Sequence, residues 1–140
     1  MTETFPDIEQ ALYTKLAATA GVTSLVGGTV SPRIYSHQAP ANVSRPYLLY
    51  YEASTVIPNR TPHHDIDSVY RVEAVADTRA GAEALRGASY TALHNQALTV
   101  SGFANYQLEA DGARALLDNV DGKQVYRRIT DIRIRLSKEG

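Results

Sequence analysis

Tyr47-Leu48-Leu49-Tyr50-Tyr51-Glu52-Ala53-Ser54-Thr55-Val56-Ile57 is followed, after a polar stretch, by Asp65-Ile66-Asp67-Ser68-Val69-Tyr70-Arg71-Val72-Glu73-Ala74-Val75-Ala76-Asp77. Aromatic and β-branched side chains fill both runs, which suits a pleated and half-buried surface. The first five residues of the first run are apolar or amphipathic on both faces. That pattern fits a central strand, or one covered by a neighbouring subunit. The second run alternates. Ile66, Tyr70, Val72, Ala74 and Ala76 share one face, while Asp67, Arg71, Glu73 and Asp77 share the other, interrupted by Val69 and Val75. One face is therefore buried and the other half wet. With Pro58 to His64 as the connection, an antiparallel hairpin is the simplest pairing.

Outward from the hairpin, Gln124 to Leu136 alternates again. Tyr126, Ile132, Ile134 and Leu136 face one way; Arg127, Asp131, Arg133 and Arg135 face the other, broken by Ile129. Phe103 to Ala110 reads as a further strand and Pro32 to Ser36 as a short extended piece. His37 to Arg45 reads as a loop. Asp111 to Lys123, with turn signals at Asp111-Gly112 and Asp121-Gly122, reads as another. Thr4 to Ala20 is a helix, capped by Thr4 and stopped by Gly21, with Phe5, Ile8, Leu12 and Leu16 on one stripe. Val22 to Val26 adds a turn, ended by Gly27 in a conformation needing positive φ. Thr78 to Ala97 is the second helix. Its stripe of small residues, Gly81, Ala82, Leu85, Ala88, Ser89, Ala92 and Leu93, lets it lie close on a sheet. The expected class is α+β: a mostly antiparallel sheet of about four to five strands, two helices packed on one face, and residues 1–140 as one domain.

Composition narrows the function. Apolar residues make up 44% of 140, enough for a core. Fourteen Lys and Arg against fifteen Asp and Glu give a net charge of −1, so no long-range pull toward nucleic acid or anionic membrane exists. Cysteine is absent, which excludes disulfides, thiolate metal sites and thiol catalysis. No run of 18 apolar residues offers a membrane span, and Met1 to Gln10 lacks the basic-then-apolar order of a secretory signal. Nine of the eleven aromatics are Tyr, and eleven of the fourteen basic residues are Arg. Both types suit surfaces that are wet at one stage and buried at another.

Catalytic signatures are sparse. His63-His64-Asp65-Ile66-Asp67 offers metal-ligand chemistry, but adjacent histidines rarely aim at one ion and no second cluster completes a sphere. No nucleophile elbow, phosphate loop or dinucleotide fingerprint occurs. No cofactor and no enzymatic activity are expected. Arg127, Arg133 and Arg135 share a face with Asp131, without the aromatic stacking partners of a single-strand binder. Contact with protein carboxylates, Glu73 and Asp77 among the candidates, fits that face better than a phosphate backbone.

The landmarks come in a familiar order. Ala11-Leu12-Tyr13-Thr14-Lys15-Leu16 leads to Val22-Thr23-Ser24-Leu25-Val26-Gly27, then Pro32-Arg33-Ile34-Tyr35, Ala39-Pro40 and Arg45-Pro46-Tyr47-Leu48. The hairpin, a helix ending in Ala92-Leu93 and an Arg-rich last strand follow. This series, from about Ile8 to Leu136, resembles the tail terminator, or tail completion, proteins of long-tailed bacteriophages. The resemblance implies a hexameric ring that caps the tail tube, ends its polymerisation and joins the tail to the head connector. It implies a virion location at the head–tail junction after assembly in the host cytoplasm. The implied partners are the tube protein and the connector, with DNA passing through the lumen without sequence-specific contact. The contact candidates are Tyr47 and Tyr51, the His63, His64 and Asp65 tip, the loop carrying Asp118 and Asp121, and the Arg127, Asp131, Arg133 and Arg135 face. Two other readings compete: another head–tail connector or tube ring component, and a small metal-dependent hydrolase centred on His63, His64 and Asp65.

Overall fold

In the computed structural model of the chain, which describes residues 7–41, 43–56, 65–94, 96, 98, 100, 103–105, 108–120 and 122–138, the two opening runs are strands β2 (Tyr47–Val56) and β3 (Asp65–Ala76). They pair antiparallel, Tyr47 opposite Val75 and Val56 opposite Asp67, with one register shift between Glu52 and Ser54. β1 (Ile34–Ser36) adds to β2 in parallel. The long β6 (Lys123–Lys138) flanks β3 on its other side. Beyond β6 run β4 (Phe103–Asn105) and β5 (Glu109–Val120), each pairing antiparallel with a different part of it.

Helices α1 (Ile8–Ala17), α2 (Ala20–Thr23) and α3 (Arg79–Leu93) cover one face. The even-numbered side chains of the central strands point there: Leu48, Tyr50, Tyr70, Val72, Ala74, Ile132, Ile134 and Leu136 join Leu12, Leu16, Leu85 and Leu93 in the main core. Leu98, Val100 and Leu108, from the connection after α3, complete it. Small residues let α3 sit close, since a Cβ on Gly81 would stand 3.3 Å from that of Ala76.

Among the described residues the sheet has six strands where about four to five were expected, and the helices number three where two were expected. Residues 111–123 account for most of the difference. Residues 111–120 lie in β5 and Lys123 opens β6, where a loop was expected. The Asp111-Gly112 turn signal falls on a register shift between Ala110 and Gly112, where one extra residue bulges without reversing the chain. The expected Phe103–Ala110 strand divides into β4 and the start of β5. Asp7 caps α1, its side chain accepting from Gln10 N at 3.0 Å, whereas Thr4 lies outside the described residues. The break after α1 comes at Ala18 and Thr19, and Gly21 lies inside α2. α3 ends at Leu93 and not at Ala97, because His94 turns extended and its Nδ1 accepts from Ala110 N at 3.1 Å. Gly27 does take positive φ, at 99°.

Candidate interaction surface

The sheet face away from the helices carries those candidate residues whose side chains the structure describes. At one end, Tyr47, Leu49, Val75 and Val125 form a second apolar cluster, with Tyr35, Ala39, Val43 and Tyr51 packed against it. The segment leading to β2 is tied across the sheet by Arg45, whose Nε donates to Asp77. A cleft of about 390 Å³ opens there, with Pro40, Tyr47, Leu49, Val125 and Arg127 among its lining.

A ladder of charge pairs continues from this cluster. Tyr51 donates its hydroxyl to Glu73 Oε2 at 2.6 Å. Arg127 bridges Glu73 Oε1, at 3.2 Å, and Asp118 on β5. Arg71 donates to Asp131 at 3.1 Å, the two residues lying directly opposite in register. Arg133 makes two parallel bonds to Asp67, at 3.1 and 2.9 Å. Arg135 reaches Glu109 only at 3.9 Å, both side chains about half exposed. Asp67 and Glu73 are diagonal, not direct, partners of their arginines, a reach that long side chains manage across a sheet.

These pairs set the electrostatics. The hydrogen bond to Asp131 raises the Arg71 pKa. Burial works against the Arg127 charge, but Asp118 and Glu73 outweigh it and leave that pKa raised. Burial, then the neighbouring Glu73 carboxylate, pushes the Tyr51 hydroxyl up. On this ladder four arginines (71, 127, 133 and 135) meet five carboxylates (67, 73, 109, 118 and 131), so it presents no net positive charge to a phosphate backbone.

The structure thus brings together Tyr47, Tyr51, Asp118, Arg127, Asp131, Arg133 and Arg135. His63, His64 and Asp121 lie outside the described residues, as does the side chain of Asp65, which begins β3. Among the described residues no group of three or more His, Asp or Glu could hold a metal ion. Sequence reasoning passed over Arg128. It sits nearly buried on the helix-covered face and donates to Glu83 of α3, which also accepts from Arg86 at 2.8 Å. The Arg128 bond holds the Glu83 carboxyl below its ordinary range. The available signal was an arginine at an apolar position of an alternating strand. Glu9 was missed too. It accepts from Ser36 Oγ and meets His37 Nε2 at 3.0 Å, fastening α1 to the end of β1.

A helix-backed sheet whose other face is apolar at one end and charge-compensated along the rest offers a surface of the kind that protein contacts use. The chain belongs to the family described as tail completion protein gp17, whose profile matches residues 10–137. Among solved structures, a chain from the "Virion of native gene transfer agent (GTA) particle" shares the fold with a TM-score of 0.67. Identity is 23% over 93% of this chain and 94% of that one. No curated protein matches the sequence.

Proposed function

We propose that the chain caps the tail tube, ends its polymerisation and forms a hexameric ring joining the tail to the head connector. The family match over residues 10–137 carries this reading. It works as a single domain, by occupying surfaces and not by catalysis, at the head–tail junction of a particle assembled in the host cytoplasm. The face of Tyr47, Tyr51, Asp118, Arg127, Asp131, Arg133 and Arg135 borders a neighbouring subunit, the tube or the connector. Its support is a row of arginines already held in geometry by carboxylates, which a partner carboxylate can join or replace with little ordering cost. The His63, His64 and Asp65 tip and the Asp121 turn are further contact points. DNA passes through the lumen unread. Negative-stain imaging of the purified protein, alone and with tail tubes, tests the reading. A six-fold ring with a lumen, seated on tube ends, is expected. A rod-like or two-fold particle as the only oligomer overturns it.

A further inference from the structure

Four large apolar side chains stand exposed among the described residues: Val30, Tyr90, Leu116 and Leu117. Their placement is polar. Val30, 96% exposed, projects from the 27–32 loop, which Arg33 N closes by donating to Val26 O at 2.8 Å just before β1. Gly27 and Gly28 turn the chain at φ 99° and 96°, and Val26 to Pro32 contains no charge of its own, the Arg33 side chain lying against Gly27 at the loop's base. β1 is one end of the sheet. The other three residues stand at the opposite end, on or beside β5. There a groove of about 490 Å³ separates α3 from β5, lined by Gly87, Ala110 and Ala113 with Tyr90 beside them. Glu83 and Arg86 at its rim pair with each other, so the groove presents no unpaired charge from them. In the order β1-β2-β3-β6-β5 the two ends are four strand spacings apart, about 19 Å at about 4.8 Å each, too far to cover each other within one chain. A projecting Val30 on a loop of uncharged residues at one end, and at the other a groove with a floor of small residues and a paired Glu83–Arg86 rim, are the two different patches that a head-to-tail contact needs.

We propose that the 27–32 loop of one copy seats Val30 in the α3/β5 groove of the next copy, forming the contact that closes the ring. The assignment rests on the ring reading above and names which surfaces meet. Two variants each destroy one half. Val30→Asp removes the knob. Gly87→Trp fills the groove from a position where a Cβ meets no atom within 4 Å, and its unfolding curve shows that the fold is kept. Light scattering on each variant alone shows monomer at concentrations where the wild type forms rings. Mixed, the two variants form a one-to-one heterodimer and stop, since only one intact knob and one intact groove remain. Weak contacts are trapped covalently: the chain has no cysteine, so Val30→Cys mixed with Ala113→Cys gives a disulfide-linked pair on oxidation, while neither does alone. Rings from either blocking variant, or no cross-link in the mixture while wild-type rings form, overturn the contact. Heterodimer and cross-link together with wild-type chains that stay open uphold the contact and overturn the closed ring.

Discussion

Glu73 is buried at the centre of the polar face, where it accepts from Tyr51 and pairs with Arg127. Removing it strips Tyr51 of a carboxylate acceptor and leaves Arg127 with Asp118 alone, so Glu73→Ala should cost about 1–3 kcal/mol. Arg135→Ala should cost at most about 1 kcal/mol, because the Arg135–Glu109 pair is long and exposed. Urea unfolding of both variants checks the contrast, and equal losses would contradict it. Glu9 supplies a pH test. Hydrogen bonding from Ser36 holds its carboxyl below the ordinary 4.5, with burial opposing and His37 assisting. The folded value is the lower one, so ionised Glu9 favours the fold. That stabilisation is complete above the unfolded value and disappears as pH falls through the folded one. The melting temperature of Glu9→Gln should therefore lie below that of the wild type at about pH 6, and the gap should narrow as pH falls below the ordinary carboxylate range. A gap that stays constant or widens in acid would refute the role. The arginine face was legible because strand alternation alone places Arg127, Asp131, Arg133 and Arg135 together. Its partners were not, since the pairing of Arg133 with Asp67 depends on register, which a sequence does not display.

α3 shows both faces of one element. Leu85 is fully buried against the sheet, and Leu85→Ala should cost about 2–5 kcal/mol through lost transfer energy and the cavity left behind. Two residues on, Gly87 faces the groove in an ordinary helical position, with space for a side chain. Gly87→Ala should raise stability by about 0.5–1 kcal/mol, because it removes backbone freedom from the unfolded chain. Thermal denaturation of the two variants measures shifts of opposite sign, and a destabilised Gly87→Ala would mean the groove is already filled. Elements were legible in proportion to how one-sidedly they are buried. β3, β6 and α3 each turn one stripe to the core and write a period into the sequence. β5 does not. Residues 112–117 are exposed on both faces at the edge of the sheet, so no alternation marks them, and Asp111-Gly112 looks like a turn while serving as a bulge.

At the scale of the particle, the proposed cap sets the length of the tail. A tube that grows by adding rings stops only when its last ring no longer offers a docking surface. A cap subunit must therefore bind that surface more tightly than the next tube ring does, or arrive when growth has paused. It must also show the head a different face. The two dissimilar faces of this sheet, helices on one side and the tyrosine and arginine surface on the other, meet that requirement within one small chain. Deleting the gene should then leave filled heads without tails, together with tubes of irregular or excessive length in electron micrographs of lysates. Purified wild-type protein added to such a lysate should restore joining. A variant with Arg133→Glu should fail to do so if that face meets the tube or connector, because the change sets a glutamate beside Asp67 and Glu109 where a bidentate pair stood. Its unfolding curve serves as the control, since a folded protein that cannot join separates lost contact from lost stability. Tails of normal length in the deletion would show that another component ends the tube, and full rescue by Arg133→Glu would remove the arginine face from the junction.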